Sequence, residues 1–340
     1  MQGCDLDGIR ATRPVGDNAD GGVMKHILHQ LWILVVKPIL DGLGILVSIS
    51  LAVMLKIIFI FHFSLKEPPS ELSRIWWCAT GPLAFLPIHA AGIYATSTTK
   101  AGPALSDFAI SSYIPNVRAL TERVNTPRVL DERKPAFFMI SQPATPNLPR
   151  IPGTTKEVLA IKQLLEIHDM QVLCLEGEAA TVNQGIMNME THSCIHFACH
   201  ARQNTKEPLK SSFALHDGSL ELSEIIKRRL VGADLAYLSA CQTSTGDEKL
   251  SEEAVHLAAG MLAAGYRGVV ATMWSISDRH GAQVAEDFYA RLISQDLERL
   301  PVSGLSTDGA AHALHYSTQK LRKQLGDLTL DWIPYVHFGL

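Results

Sequence analysis

Two reactive side chains stand where buried-looking runs give way to polar ones. The run CIHFAC (194–199) leads straight into His200, which is followed by ARQNTKE, and LAYLSA (235–240) leads straight into Cys241, followed by QTSTGDEK. The two residue types suit each other. A thiolate is the competent nucleophile. A nearby imidazole can take the thiol proton and later return it to a leaving amine. The tetrahedral intermediate then needs donors for its oxyanion, and the backbone N–H groups of Cys241 and of Ala201, the residue after His200, are the natural candidates.

Two plainer readings compete. A cysteine at the end of a strand is commonly a small buried hydrophobe. On a helix, His192, His196 and His200 would share one face and could hold zinc with Cys194 or Cys199. The segment reads as a strand, however, and on a strand that spacing spreads the residues over ~26 Å. No metal and no cofactor are expected.

The elements that must carry these residues alternate. β-rich runs fall at 74–78, 107–113, 136–141, 170–175, 194–199, 235–240 and 268–274. Amphipathic segments separate them. Residues 24–41 carry Ile27, Leu28, Leu31 and Leu34 at helical spacing, with Pro38 expected to end or kink the helix. Thr154 and Glu157 have the spacing of a capping box at the start of a helix with Val158, Ile161, Leu164 and Leu165. Ser251 is placed to cap a helix that stops at Gly265. Residues 280–294 and 309–325 give two more helices. Strands alternating with helices predict an α/β fold with a mainly parallel sheet covered on both faces. In such a sheet, ligands bind beyond the carboxyl ends of the strands, where both His200 and Cys241 fall.

Composition narrows the class. The chain has 340 residues, 47% hydrophobic and 19% charged, with a net charge of −4. No nucleic-acid partner is indicated, since the one tight basic run, Lys227–Arg229, suits a solvated helix end. Cys4, Cys78, Cys174, Cys194, Cys199 and Cys241 are scattered rather than clustered as in a disulfide scaffold. Together with the polar, Gly/Asp-rich opening, this points to a cytoplasmic protein without a signal peptide.

The strings IHFACHARQN (195–204) and LAYLSACQTSTGDEKLSEEAVHLAAGMLAAGYRGVVATMWSISD (235–278) resemble the CHAT family. So do WWCATGPLAFLPIHAAG (76–92), SDFAISSYIPNVRAL (106–120), LPRIPGTTKEV (148–158) and the ending WIPYVHFG (332–339). The match runs in order over roughly residues 72–340, in a fungal-type form, with a lead-in helix before it. CHAT proteins are similar to caspases and separases and often accompany TPR repeats or other sensor modules. The resemblance implies a caspase-like three-layer sandwich, with an inactive N-terminal half-module (72–135) and a catalytic half-module (136–340). It implies a cysteine endopeptidase with His200 and Cys241 as its dyad, a protein or peptide substrate, and an upstream sensor or TPR-type partner in signalling or regulated cell death. The alternative is a catalytically silent CHAT interaction module. One position departs from the family. Gly usually follows the histidine, and here Ala201 does. Alanine keeps the N–H donor, but a positive φ at that position would strain it.

Other motifs have smaller expected roles. His89 reads as a satisfied core or turn histidine. Trp274 either lines a groove or packs. Asp247, Glu248 and Asp278 could form an acidic floor for a basic substrate residue, but they read better as solvated carboxylates or caps. Residues 1–23 read as a flexible leader and 24–71 as the lead-in helix plus an apolar insertion. Within the latter, Gly42–Phe63 (GLGILVSISLAVMLKIIFIFHF) is long enough to span a bilayer, with Lys56 its single charge. The three readings of it are a membrane anchor, a buried core element, and a translated intron or other gene-model error.

Overall fold

The computed structural model describes residues 18–45, 72–96, 100–125, 136–202, 204, 206–239, 253–298, 307–326 and 329–340. The strands among them are β1 Ser73–Trp77, β2 Ala109–Tyr113, β3 Ala136–Ser141, β4 Gln171–Glu176, β5 Cys194–Ala198, β6 His200–Arg202, β7 Ser212–Ala214, β8 Ser219–Glu221, β9 Leu235–Leu238, β10 Gly268–Thr272 and β11 Tyr335–Gly339. Eight form one sheet in the order β1-β2-β11-β10-β9-β5-β3-β4. Every neighbouring pair is parallel except β10 with β11. The sheet therefore consists of two parallel blocks, β1-β2-β11 and β10-β9-β5-β3-β4, joined at one antiparallel seam.

Alternation along the strands explains the layers. In β3, β5, β9 and β10, Phe138, Ile140, Ile195, Phe197, Ala236, Leu238 and Val269 face one way. They pack against Met189, Leu222, Ile225, Leu257 and Met261, from helices Val182–Met189, Leu222–Lys227 and Glu253–Ala264. Phe137, Met139, Cys194, Leu235, Tyr237 and Val270 face the other way, against helices Gly153–Ile167, Asp278–Glu298 and Ala310–Leu325. With both faces covered, the strands read as continuous apolar runs. The result is the three-layer α/β sandwich expected from the sequence.

Three local expectations are revised. The first concerns the lead-in helix, which does not stop at Pro38. It runs from Asn18 to Leu31, passes through a π-helical turn at Trp32–Val36 and continues over Lys37–Gly42, with Pro38 in the first turn of that last piece. Proline lacks an N–H and its ring crowds the carbonyl four residues back. The wider turn just before it admits the ring without ending the helix. Its stretch Gly21–Gly42 is long and apolar enough to cross a membrane by length and composition. Yet Leu28, Leu31, Trp32, Val36 and Leu40 are buried in the protein's own core. Of the apolar stretch 42–63, only Gly42–Ile45 fall among the described residues.

The second is the capping box at Thr154 and Glu157, which does not form. Helix Gly153–Ile167 has Pro152 at its N-cap and no side-chain cap. The Thr154 hydroxyl donates instead to the Ile151 carbonyl at 2.9 Å. Glu157 is drawn into the core, with its Oε1 3.1 Å from His196 Nε2. Taking a carboxylate out of water carries a desolvation cost, and the imidazole beside it in the interior offsets part of it. The third is the polar loop expected directly after His200, since residues 200–202 form β6 of a small antiparallel sheet, β6-β7-β8. Ser251, the expected cap, lies outside the described residues, while Gly265 ends its helix as expected. Gly265 has φ +136, and a Cβ there would stand 2.2 Å from the Leu230 carbonyl oxygen.

Candidate functional site

β5 and β9 lie side by side and parallel, with Cys194 opposite Leu235 and Phe197 opposite Leu238. Their buried side chains fix them in the sheet, so both chains leave it at the same edge and the same height. Cys199 follows β5 as a fully buried thiol, and burial pushes it up to about 12, which leaves it inert as a nucleophile. His200 comes next and opens β6, opposite Ala214 of β7.

The His200 side chain is 1% exposed. Its Nε2 lies 2.7 Å from the carbonyl oxygen of Pro149. A carbonyl oxygen only accepts, so Nε2 carries the proton and Nδ1 is the basic nitrogen of the neutral ring. Pro149 sits in a loop tied at its base to the same strand, since Gln142 N–H donates to Ala198 C=O at 2.9 Å. Ile151 N–H closes the loop on Pro143 C=O at 3.0 Å, and Asn147 takes the left-handed conformation with φ 64. The ring is thus oriented by backbone that the sheet itself positions.

Ala201 is buried in β6, opposite Phe213. The non-glycine residues with positive φ among the described residues are Asn147, Asp169 and Arg229. Ala201 is extended, so the conformation that would have strained an alanine is not present. Cys241, Asp247 and Glu248 lie outside the described residues. Asp278 opens the helix Asp278–Glu298.

The three histidines spaced by four do not converge. His192 Nδ1 donates to Asn188 C=O at 2.8 Å. His196 is buried on the opposite face of β5 from Phe197, between Glu157, the Tyr289 hydroxyl at 3.2 Å and the stacked ring of Tyr237 at 4.9 Å. His89 is satisfied on both nitrogens. Nε2–H donates to Ile333 C=O at 2.7 Å and Nδ1 accepts from the Tyr113 hydroxyl at 2.8 Å. Burial lowers it to about 4, partly offset by the Ile333 bond. Trp274 packs against the core on both faces of the sheet. The residue types could not reveal the Pro149 contact, because it is made by a backbone carbonyl.

The CHAT domain family model matches residues 25–339. The chain belongs to the CHAT domain family. Its fold is similar to the Arg-specific cysteine proteinase gingipain R (RGPB), at TM-score 0.48 and 10% identity, covering 71% of this chain and 56% of that one. It is also similar to the Saccharomyces cerevisiae separase–securin complex, at TM-score 0.46 and 15% identity, covering 69% of this chain and 14% of that one. The complex of pro- and mature domains of Porphyromonas gingivalis RgpB gives TM-score 0.42 at 10% identity, covering 74% of this chain and 55% of that one. The chain thus spans only part of the length of the structures it matches. No curated protein matches the sequence.

Proposed function

We propose that this CHAT domain is a caspase-like cysteine endopeptidase with Cys241 as nucleophile and His200 as its acid–base partner. One observation carries the reading. The pairing of β5 with β9, Cys194 with Leu235 through Phe197 with Leu238, has the same sequence offset as His200 with Cys241. That shared offset between adjacent parallel strands supports reading those two positions as neighbours beyond the carboxyl ends of β5 and β9.

In this reading His200 Nδ1 takes the Cys241 thiol proton. The thiolate sulfur adds to the scissile carbonyl, and the oxyanion is held by the N–H groups of Ala201 and Cys241. The C–N bond breaks as the imidazolium returns the proton to the departing amine. Water, deprotonated by the same nitrogen, then cleaves the thioester and releases the new carboxyl terminus. Pro149 keeps the proton on Nε2 throughout. The substrate is a protein or extended peptide, and residues 136–340 form the catalytic half-module beside 72–135. A cytoplasmic signalling or cell-death role, under an upstream sensor or TPR-type partner, fits the CHAT assignment.

The test compares peptide-library cleavage by the wild-type chain and Cys241→Ala, together with iodoacetamide labelling of each cysteine. Cys241 should label well ahead of the inert Cys199, and cleavage should vanish in the variant. Equal cleavage by both chains would remove Cys241 from the role. The second reading is a catalytically silent interaction module. The near-complete burial of the His200 ring favours it, and slow labelling of Cys241 at neutral pH would decide for it.

A further inference from the structure

A buried carboxylate lies where nothing in the proposed chemistry uses it. Glu157, near the start of helix Gly153–Ile167, is 4% exposed, and its Oε1 lies 3.1 Å from Nε2 of the fully buried His196 on β5. Its other carboxylate oxygen lies beside the first turn of helix Asp278–Glu298, where a Cβ on Gly281 would stand 4.0 Å from Glu157 Oε2. The His196 ring stacks on Tyr237 of β9 at 4.9 Å, and its Nδ1 is 3.2 Å from the Tyr289 hydroxyl. Burial, with Cys194 and Glu157 adding to it, raises Tyr289 well above its usual value. The hydroxyl therefore stays protonated and can donate to Nδ1. The proton of a neutral His196 ring then sits on Nε2, facing Glu157.

This cluster joins the strand that leads into His200 to the helix that follows the Pro149 loop. β5 runs from Cys194 to Ala198, and His200 comes two residues later. Loop 142–152 starts beside β5, where Gln142 N–H donates to Ala198 C=O at 2.9 Å, and it ends in the helix that carries Glu157. The rest of that helix meets the core mainly through Val158, Ile161 and Leu165. Apolar contact is non-directional and tolerates sliding. A carboxylate beside an imidazole has far fewer workable geometries, and burying it carries a cost that an apolar residue would avoid.

We propose that Glu157 and His196 are positioning residues for His200. They fix the register of helix Gly153–Ile167 on β5, and so hold the Pro149 carbonyl 2.7 Å from His200 Nε2. The proposal rests on the reading of His200 as acid–base partner, since that role needs the basic nitrogen at Nδ1. What the pair contributes is geometry rather than stability.

The test is imidazole NMR on the chain labelled with nitrogen-15 histidine, with His200 assigned from its loss in His200→Gln. The wild-type chain should show one His200 tautomer, with a slowly exchanging proton on Nε2. A triple variant, Glu157→Met with His196→Leu and Tyr289→Phe, replaces the polar cluster by apolar groups of similar size. Its melting temperature should stay close to that of the wild type. Its His200 Nε2 proton should nonetheless exchange at least about 10-fold faster, with both tautomers populated. Glu157→Met alone should show the same loss at His200, which keeps the test available if the triple variant does not fold. Glu157→Gln keeps an acceptor opposite His196 and should retain most of the protection. Leu165→Ala, at the far end of the same helix, should lower the melting temperature and leave the His200 tautomer unchanged. Wild-type tautomer and exchange in the Glu157→Met chains overturn the proposal. So does a Leu165→Ala chain that disturbs His200 as much as they do.

This measurement does not involve Cys241. A chain that neither cleaves peptides nor labels at Cys241 would count against the peptidase reading, while the tautomer comparison would still decide the role of Glu157 and His196.

Discussion

At the scale of single residues, the site depends on backbone as much as on side chains. The Pro149 carbonyl sets which imidazole nitrogen of His200 holds the proton, and Ala201 offers an N–H from an extended strand. Because Ala201 is not left-handed, restoring the glycine usual in the family should relieve no strain. Ala201→Gly should instead cost about 0.5–1 kcal/mol through the entropy of the unfolded chain, as urea unfolding would register. A gain in stability would show that the alanine is strained after all. His200 and its place at a strand end were legible in the sequence, and so was the satisfied character of His89. The partner of His200 was not, because a carbonyl oxygen is common to all residues. The role of Glu157 was misread for a related reason. Its spacing from Thr154 is visible in the sequence, but the buried imidazole that captures it comes from β5, far along the chain.

At the scale of elements, the apolar runs predicted seven of the eight strands of the large sheet to within a few residues, because burial between helical layers leaves little choice of composition. The short strands β6, β7 and β8 escaped notice. At three residues each they are too brief for alternation to stand out from a polar loop. β11 was recognised only as part of a family-like ending. Gly265 is the element-scale feature with the sharpest consequence. It ends the helix Glu253–Ala264 with φ +136 and leaves no room for a Cβ against the Leu230 carbonyl. Gly265→Ala should therefore destabilise the fold by roughly 2–4 kcal/mol, combining backbone strain with a steric clash. A melting temperature unchanged from wild type would refute that account. Phe197, fully buried on β5 against Phe138 and Phe213, should cost about 3–5 kcal/mol as Phe197→Ala. The loss should appear in the denaturant midpoint with little change in its slope.

For the whole molecule, burial makes the block of β1, β2 and β11 sensitive to acid. Burial lowers His89 and His315 to about 4, and lowers His337 well below its usual value. All three lie around β2, β11 and the helix Ala310–Leu325. A histidine with a depressed folded pKa binds its proton more readily when unfolded. Its neutral form thus adds stability that is complete above about 6.5 and is lost as pH falls towards 4. For the half-buried His89 the loss is at most on the order of 3 kcal/mol. Hydrogen exchange should accelerate at Ala109–Tyr113 before Ala136–Ser141 as pH drops from 6.5 to 4. Simultaneous loss of protection in both strands, or none in either, would contradict this.

The seam between β10 and β11 also sets an order of assembly. β11 is the strand that touches both blocks, pairing with β10 on one side and β2 on the other. It lies later in the chain than every other strand of the sheet. During synthesis, strands β1 and β2 therefore emerge first and must wait beside an unfinished block until residues 335–339 leave the ribosome. Until then the first strands lack the neighbour on their inner side that β11 provides.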